Sequence, residues 1–466
     1  MHKILVFISI FIIFIFSCNK TEIDYSNNSS LNFSTDSLIF DTIFSGIGSV
    51  TKSFKIYNKS DKSLIISDIY IGKGSASKYM LNVDGQANTT FKNLQINSND
   101  SIYVFVQVKI NTTEDALLEQ DSIIFITNNN LQDIKLLAWG QDVHFIDAEY
   151  IGDEIWQNDK PYLIYNSMLV EENKTLTIEA GSKLYFHRGS SMYIAGTLEI
   201  KGTFEEPVTL QADRLEQMYS DVPGQWDGIW LMNGSKHNRI NFAEIKNAVI
   251  GIKVDTIADL SIPTLTISNT KIEHMSFAGI YAQGSTVFAT NCLIDDCGYY
   301  TLALTIGGSY EFYHCTFANY WQNTIRNTPS VILNNYYTYN NSLITRNLDK
   351  AEFNNCIIYG NKDNEIYFDN STSGIFNYKF TNCLLNIDEN LITDITKFKN
   401  NILNEDPLFF DIENYNYKID NQSPAKDKAS ITFIDLYPSY LNFDLNNESR
   451  VLDAAPDIGA YEASNL

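Results

Sequence analysis

The chain has 466 residues, with 33 Lys plus Arg against 56 Asp plus Glu and a formal charge of −23. So acidic a balance excludes binding to nucleic acid or to an anionic surface through bulk electrostatics, and mainly favours solubility. No stretch beyond the first 16 residues approaches 18 apolar positions, so no spanning helix is expected after the leader.

His2 and Lys3 precede an apolar run from Ile4 to Phe16 that only Ser9 interrupts. Its length suits a signal-peptide core and is too short to cross a bilayer as a helix. The run ends in Ile15-Phe16-Ser17-Cys18, which resembles the bacterial lipobox, where a small residue precedes a cysteine whose thiol receives diacylglycerol before cleavage. Phe16 departs from the commoner small residue at its position. Residues 1–17 are therefore expected to be removed, with Cys18 as lipid attachment site and mature N-terminus. Loss of Lys3 takes the charge from −23 to −24. Several acyl chains on one residue anchor a protein stably where a single chain would not. Residues 18–30, rich in Asn and Ser, read as a flexible tether. The expected location is the cell envelope, lipid-anchored at the outer membrane, with the cell surface as one face open to it.

Residues 31–145 carry alternating segments such as LIFDTIF, SFKIYNKS, SLIISDIYI, SIYVFVQVKI and DSIIFITNN between turn residues, a β-sandwich pattern. Phe54 to Ser60 followed by Leu64-Ile65-Ile66 is similar to immunoglobulin-like modules in which a strand ends in an Asn-containing turn. Such modules commonly act as spacers or docking domains.

From residue 146 the pattern changes. Residues 176–212 alternate β-formers with Gly, Ser and Pro, and a phrase then recurs: INFAEI, ISNTKI, ATNCLI, FYHCTF, FNNCII, FTNCLL. Counting LNNYYT as a further copy, the slots Ala243, Thr270, Cys292, Cys315, Tyr336, Cys356 and Cys383 lie 27, 22, 23, 21, 20 and 27 residues apart. A slot recurring at that period is one coil of a solenoid, each coil covering the apolar face of the last. Some ten coils stacked at about 4.8 Å make a rod roughly 45 to 50 Å long. Small residues in register stack inside it, so the cysteines are packing residues, and their odd number after cleavage argues against a disulfide framework. Asn beside the slot tolerates a left-handed corner and can bond to the neighbouring coil.

Leu176 to Gly181, Gly196-Thr197-Leu198, Pro207-Val208-Thr209 and Gln225 to Trp230 resemble the opening of right-handed parallel β-helix proteins of bacterial surfaces. Asp406-Pro407-Leu408-Phe409, Ser423-Pro424-Ala425, Arg450 and Asp457-Ile458-Gly459-Ala460-Tyr461-Glu462 are similar to the C-terminal region of β-helix proteins of the choice-of-anchor Q type. The resemblance implies an architecture and is nearly silent on reaction. The expected fold is all-β: an N-terminal immunoglobulin-like β-sandwich, then a right-handed parallel β-helix over 146–466 with a C-terminal capping region.

Parallel β-helices include polysaccharide lyases and hydrolases, so chemistry needs a search. Asp295-Asp296 is the one acidic pair placed where hydrolysis would need it, but the partner His and Arg phrases are missing, His314 and Arg326 standing in other contexts. Lyase chemistry needs a cation and a base. Lys271, His274, Arg326 and Arg346 are the candidates, and no two form a motif. His187, His237, His274 and His314 lack zinc-ligand spacing. No catalytic set, metal site or cofactor is expected.

Aromatic residues offer an alternative. Tyr299-Tyr300, Tyr320-Trp321 and Tyr336-Tyr337-Tyr339 fall at related places in consecutive repeats, where exposed rings would give flat apolar surfaces for sugars or a protein partner. Tyr299, Tyr300, Trp321 and Tyr337 are the candidate binding residues. The expected role is a membrane-anchored, non-enzymatic recognition or structural component contacting a polysaccharide or an envelope protein. The alternatives are a β-helix lyase or glycoside hydrolase, and an accessory subunit of an outer-membrane complex.

Overall fold

The computed structural model describes residues 22–463 other than 28, 112–117, 256, 258–260 and 453. Cys18 and the leader lie outside the described residues. The chain divides into two compact units, 1–143 and 144–466.

The first unit holds two five-stranded sheets around one core. In one, Lys52–Tyr57 and Ser101–Val108 pair antiparallel; in the other, Ser37–Phe44 runs parallel to Asn130–Gln141. The alternation read from the sequence sets the faces: in Ser101–Val108, Val104, Val106 and Val108 are fully buried while Tyr103 and Phe105 face out. Asn58 closes the turn after Lys52–Tyr57, its amide donating to the carbonyls of Lys62, Ile96 and Asn97. The stretch expected to be a tether is held down where it is described. Ile23 bridges Ser63, and the amides of Asn128 and Asn130 donate to backbone carbonyls between Asp24 and Ser29. Asn and Ser composition suits a free linker, but here distant Asn side chains supply the partners that order it.

The second unit is a parallel β-helix. One of its ladders passes through Glu154–Trp156, Thr175–Glu179, Thr197–Lys201, Asn238–Asn241, Leu265–Ser268, the ends of Ala278–Thr290 and Tyr300–Tyr313, Leu348–Asn354, Lys379–Thr381 and Phe398–Lys399, ten rungs in all. Equivalent positions stack inside. Cys292, Cys315, Cys356 and Cys383 are fully buried, unpaired thiols, each donating to the carbonyl two residues before it. Beside them Phe312, Phe353, Phe380 and Phe398 stack face to face, centroids 4.9, 4.7 and 5.2 Å apart.

The residue before each slot turns the corner in the left-handed region: Phe242, Asn269, Asn291, His314, Asn355 and Asn382 have φ between +48° and +55°. Asn reaches that conformation at least cost after Gly. One expected slot is absent. Cys315 stacks directly on Cys356, as the pairing of Thr316 with Ile357 requires, and Tyr336 instead opens a two-stranded antiparallel arm, Tyr336–Tyr339 with Ser342–Thr345. Its Asn340-Asn341 turn, both residues left-handed, is a hairpin signal that the 20-residue period masks.

After the last rung the chain returns along the outside of the coils. Residues 405–463 form a strap with the hairpin Phe409–Asp411 and Asn416–Ile419 and two short helices, Ile431–Leu436 and Pro438–Leu441. It runs along the corner rail. Asn291 donates to the carbonyls of Tyr440 and Phe443, Asn355 exchanges bonds with Ser430, and Asn382 reaches the carbonyl of Lys428. Gly459 N–H donates to the Asn355 carbonyl and Ala460 N–H to Thr316 Oγ1. Fully buried Arg450 pairs with Glu462 and donates to Asn291 Oδ1 and the Gly459 carbonyl.

Candidate functional site

Two outward faces of the solenoid differ in what covers them. On the sheet that carries Leu293–Asp295, the register runs Glu244 to Lys271 to Leu293 to Thr316 to Ile357 to Leu384. Outward positions thus change from charged to apolar, and the apolar part is where the strap lies: Leu293 and Ala318 pack on Tyr417, Leu445 and Tyr461, and Ile357 and Leu384 pack on Ile419, Ala425 and Ile458.

The sheet carrying Ala278–Thr290 bears a different set. Its outward column reads Tyr193, Trp230, Lys253, Tyr281, Ala303, Ile332, Tyr367. The first part is closed on itself: Lys253 Nζ sits 3.6 Å above the Trp230 ring and 3.2 Å from Asp255, which also accepts from Trp230 Nε1. Around Tyr281 the surface opens. Phe277 lies 5.8 Å from Tyr281, 5.1 Å from Tyr299 and 6.0 Å from Tyr300, so four rings of neighbouring coils form one patch, with Tyr299 half exposed.

Two residues along the strand, Gln283 donates to the Tyr281 hydroxyl and also lines a groove of about 510 Å³. Asp255, Thr286, Ser309, Arg346 and Asp349 share its wall. The groove follows a corner built with unusual backbone. Ile306 is left-handed at φ +62°, which a β-branched residue rarely accepts, and Gly308 at φ +120° has no room for a Cβ against Ser285 O. Arg346 and Asn347 leave the end of the Tyr336–Thr345 arm, so that arm rises from the groove's rim.

The candidate residues separate as follows. Tyr299 and Tyr300 lie in the four-ring patch. Tyr337 is on the arm, opposite Ile344. Trp321 is buried, its Nε1 donating to Thr324 and its carbonyl accepting from Asn361. Phe277, Tyr281 and Gln283 escape the sequence reading because only the coil register brings them beside Tyr299.

Among residues weighed for catalysis, Arg326 is buried in the fold, making a bidentate pair with buried Glu365 at 2.8 and 2.6 Å. His314 is buried against Asn355, and burial holds its imidazole well below the usual pKa. Lys271 lies 3.8 Å from Glu244. Asp296 bonds His274 Nδ1 at 2.7 Å, and Asp295 is shut from water beneath the strap. His187 Nδ1 meets Asp213 at 2.7 Å on the surface, with Tyr165 stacked on its ring at 4.0 Å. Among the described residues no group of three or more His, Cys, Asp or Glu could hold a metal ion, and no helix is long and apolar enough to cross a membrane.

Residues 227–385, about a third of the chain, match the family model described as right handed beta helix region. No curated protein matches. Among solved structures, a family 123 glycoside hydrolase from Clostridium perfringens shares 11% identity with a TM-score of 0.18, over 26% of each chain. A protein of unknown function from Porphyromonas gingivalis W83 shares 10% identity with the same TM-score, over 27% of this chain and 60% of the other. Both matches span less than two thirds of the neighbour, and at that similarity neither bears on function.

Proposed function

We propose that the protein is a cell-envelope lipoprotein, held to the outer membrane through Cys18, whose β-helix binds a glycan without turning it over. The observation that carries this reading is the continuity of the four-ring patch at Phe277, Tyr281, Tyr299 and Tyr300 with the polar groove beyond Gln283. Sugar rings present an apolar face and a rim of hydroxyls. Aromatic rings suit the first, and amide, hydroxyl and carboxylate groups at fixed positions suit the second. The acids that would serve hydrolysis point away from this role, because a sugar chain would have to displace the strap to reach Asp295.

The test is a glycan array with the Cys18→Ser chain, followed by titration of the ligands found. Tyr281→Ala and Tyr299→Ala should each weaken binding about tenfold, the size of one lost aromatic contact of 1–1.5 kcal/mol, with unchanged circular dichroism. New reducing ends or unsaturated products would overturn the non-enzymatic reading. Mass spectrometry of the membrane-bound protein checks the anchor: acyl mass on Cys18 is expected, and an unmodified N-terminus elsewhere removes the lipoprotein assignment.

A further inference from the structure

Asp295 presents a problem that the glycan reading does not use. It ends the strand Leu293–Asp295 on the outward side, it is fully buried, and neither carboxylate oxygen has a hydrogen-bond partner. A buried, unbonded carboxylate anion is among the costliest groups a fold can hold, whereas the neutral acid is tolerable.

What buries it is the strap. Asp295 pairs in register with Ala318 and lies two residues from Leu293, and both of those pack beneath Tyr417 and Tyr461. The charges that act most on Asp295 come from the coils and not from the strap. The Tyr417 hydroxyl is itself buried without a partner, and Tyr415 covers the neighbouring His274 ring edge-on at 4.4 Å. From the coils, Glu273 and Asp296 add negative charge. Lys246 is engaged with Glu273 at 3.1 Å, Lys271 with Glu244, and His274 with Asp296. Beneath, Cys297 faces the same acids, and Asp221 stands 3.7 Å from His274 at the rim.

We propose that residues 405–463 form a proton-controlled clasp, docked on the solenoid while the Asp295 carboxyl is neutral and released when that carboxyl gives its proton to solvent. Release uncovers a face carrying Lys246, Lys271, Glu273 and Asp295 next to the apolar residues Leu293, Ala318, Ile357 and Leu384. The clasp acts on a different strand ladder from that of Tyr281 in the aromatic patch and stands independently of the glycan reading.

Other groups also couple docking to protons, and their windows differ. Burial raises the Asp444 and Glu448 carboxyls and pushes Glu462 up to about 7, so each favours docking below the ordinary carboxylate range, and the Glu462 contribution is lost as pH rises through about 7. His314, neutral under the strap, opposes docking only below its ordinary value of about 6.5. Tyr415, Tyr417 and Tyr461 would ionise, once released, only near pH 10. Between about pH 7 and pH 9 the remaining proton is that of Asp295, whose buried carboxyl stays protonated far above the usual range.

The experiment is amide hydrogen exchange on the full chain across that interval, corrected for intrinsic exchange. It follows Gly459 and Ala460, whose N–H groups bond across to the Asn355 carbonyl and Thr316 Oγ1 of the coils, with Leu445, whose N–H bonds the Ala460 carbonyl inside the strap, as an internal comparison. Protection should fall by up to tenfold per pH unit, the slope of a single linked proton. Asp295→Asn, the neutral isostere, should keep the strap protected throughout. Equal slopes in the two proteins, or a strap already open at pH 7 in Asp295→Asn, overturn the proposal. Infrared spectroscopy is the second check. A protonated carboxyl band should persist at pH 8 in the native protein and vanish in Asp295→Asn, and its absence from the native protein overturns the proposal even if the variant fails to fold.

Discussion

Arg450 is the side chain on which strap docking most depends. It is fully buried, pairs with Glu462 and reaches Asn291 and the Gly459 carbonyl, so it ties three segments at once. Removing one member of a buried pair leaves the other as an uncompensated charge, typically at a cost of about 3–5 kcal/mol. Arg450→Met should therefore undock the strap and make its peptides protease-sensitive at pH 8, where a solvent-exposed Glu462 is ionised and must be buried without its partner to dock. At pH 5 the defect should be smaller, because Glu462, raised to about 7 by desolvation, is then neutral. Equal proteolysis at the two pH values would contradict this account. The sequence reading identifies Arg450 and the Asp457 to Glu462 phrase as a recurring terminal region; it does not reveal that the phrase lies on the corner asparagines, since contacts 159 residues apart, such as Arg450 with Asn291, leave no local trace.

At the scale of the element, the coil is set by register. Thiols at Cys292, Cys315, Cys356 and Cys383 and rings at Phe312, Phe353, Phe380 and Phe398 fall in columns because each rung repeats the geometry of the one before. Phe353, fully buried between two stacked rings, should cost about 3–5 kcal/mol as Phe353→Ala by the usual measure for buried aromatic truncation. Denaturant unfolding of the solenoid fragment signal measures it, and a loss below about 1 kcal/mol would mean that the column is not a close-packed unit. This layer was the legible one: period 2 within strands, a recurring slot and Asn at corners all follow from local chemistry. The arm at Tyr336–Thr345 was not, because the coil that carries it spans 41 residues from Cys315 to Cys356, nearly two periods, and so imitates two coils. The groove was hidden for another reason: Asp255, Gln283, Ser309 and Arg346 come from successive rungs, and their assembly depends on coil length rather than on neighbours in sequence.

For the molecule as a whole, the apolar interior is divided. One core gathers side chains from Leu31 to Ala138, and the principal solenoid core gathers others from Ile146 to Phe398. Separate cores predict separate unfolding. Calorimetry should resolve two transitions, and Phe353→Ala should lower only the one that belongs to the solenoid; a single transition shifted as a unit would refute that division. Composition and charge could not distinguish a free tether from a segment held at Asp24, Ser26, Asn27 and Ser29 by Asn128 and Asn130. The Tyr336–Thr345 hairpin carries a last consequence. Between Cys315 and Cys356 the chain makes a detour of two extra strands, yet the rungs on either side meet as if nothing intervened. Corners of this kind are sockets: foreign sequence grafted there would be displayed at a chosen height along the rod while the stack beneath it stays unaltered.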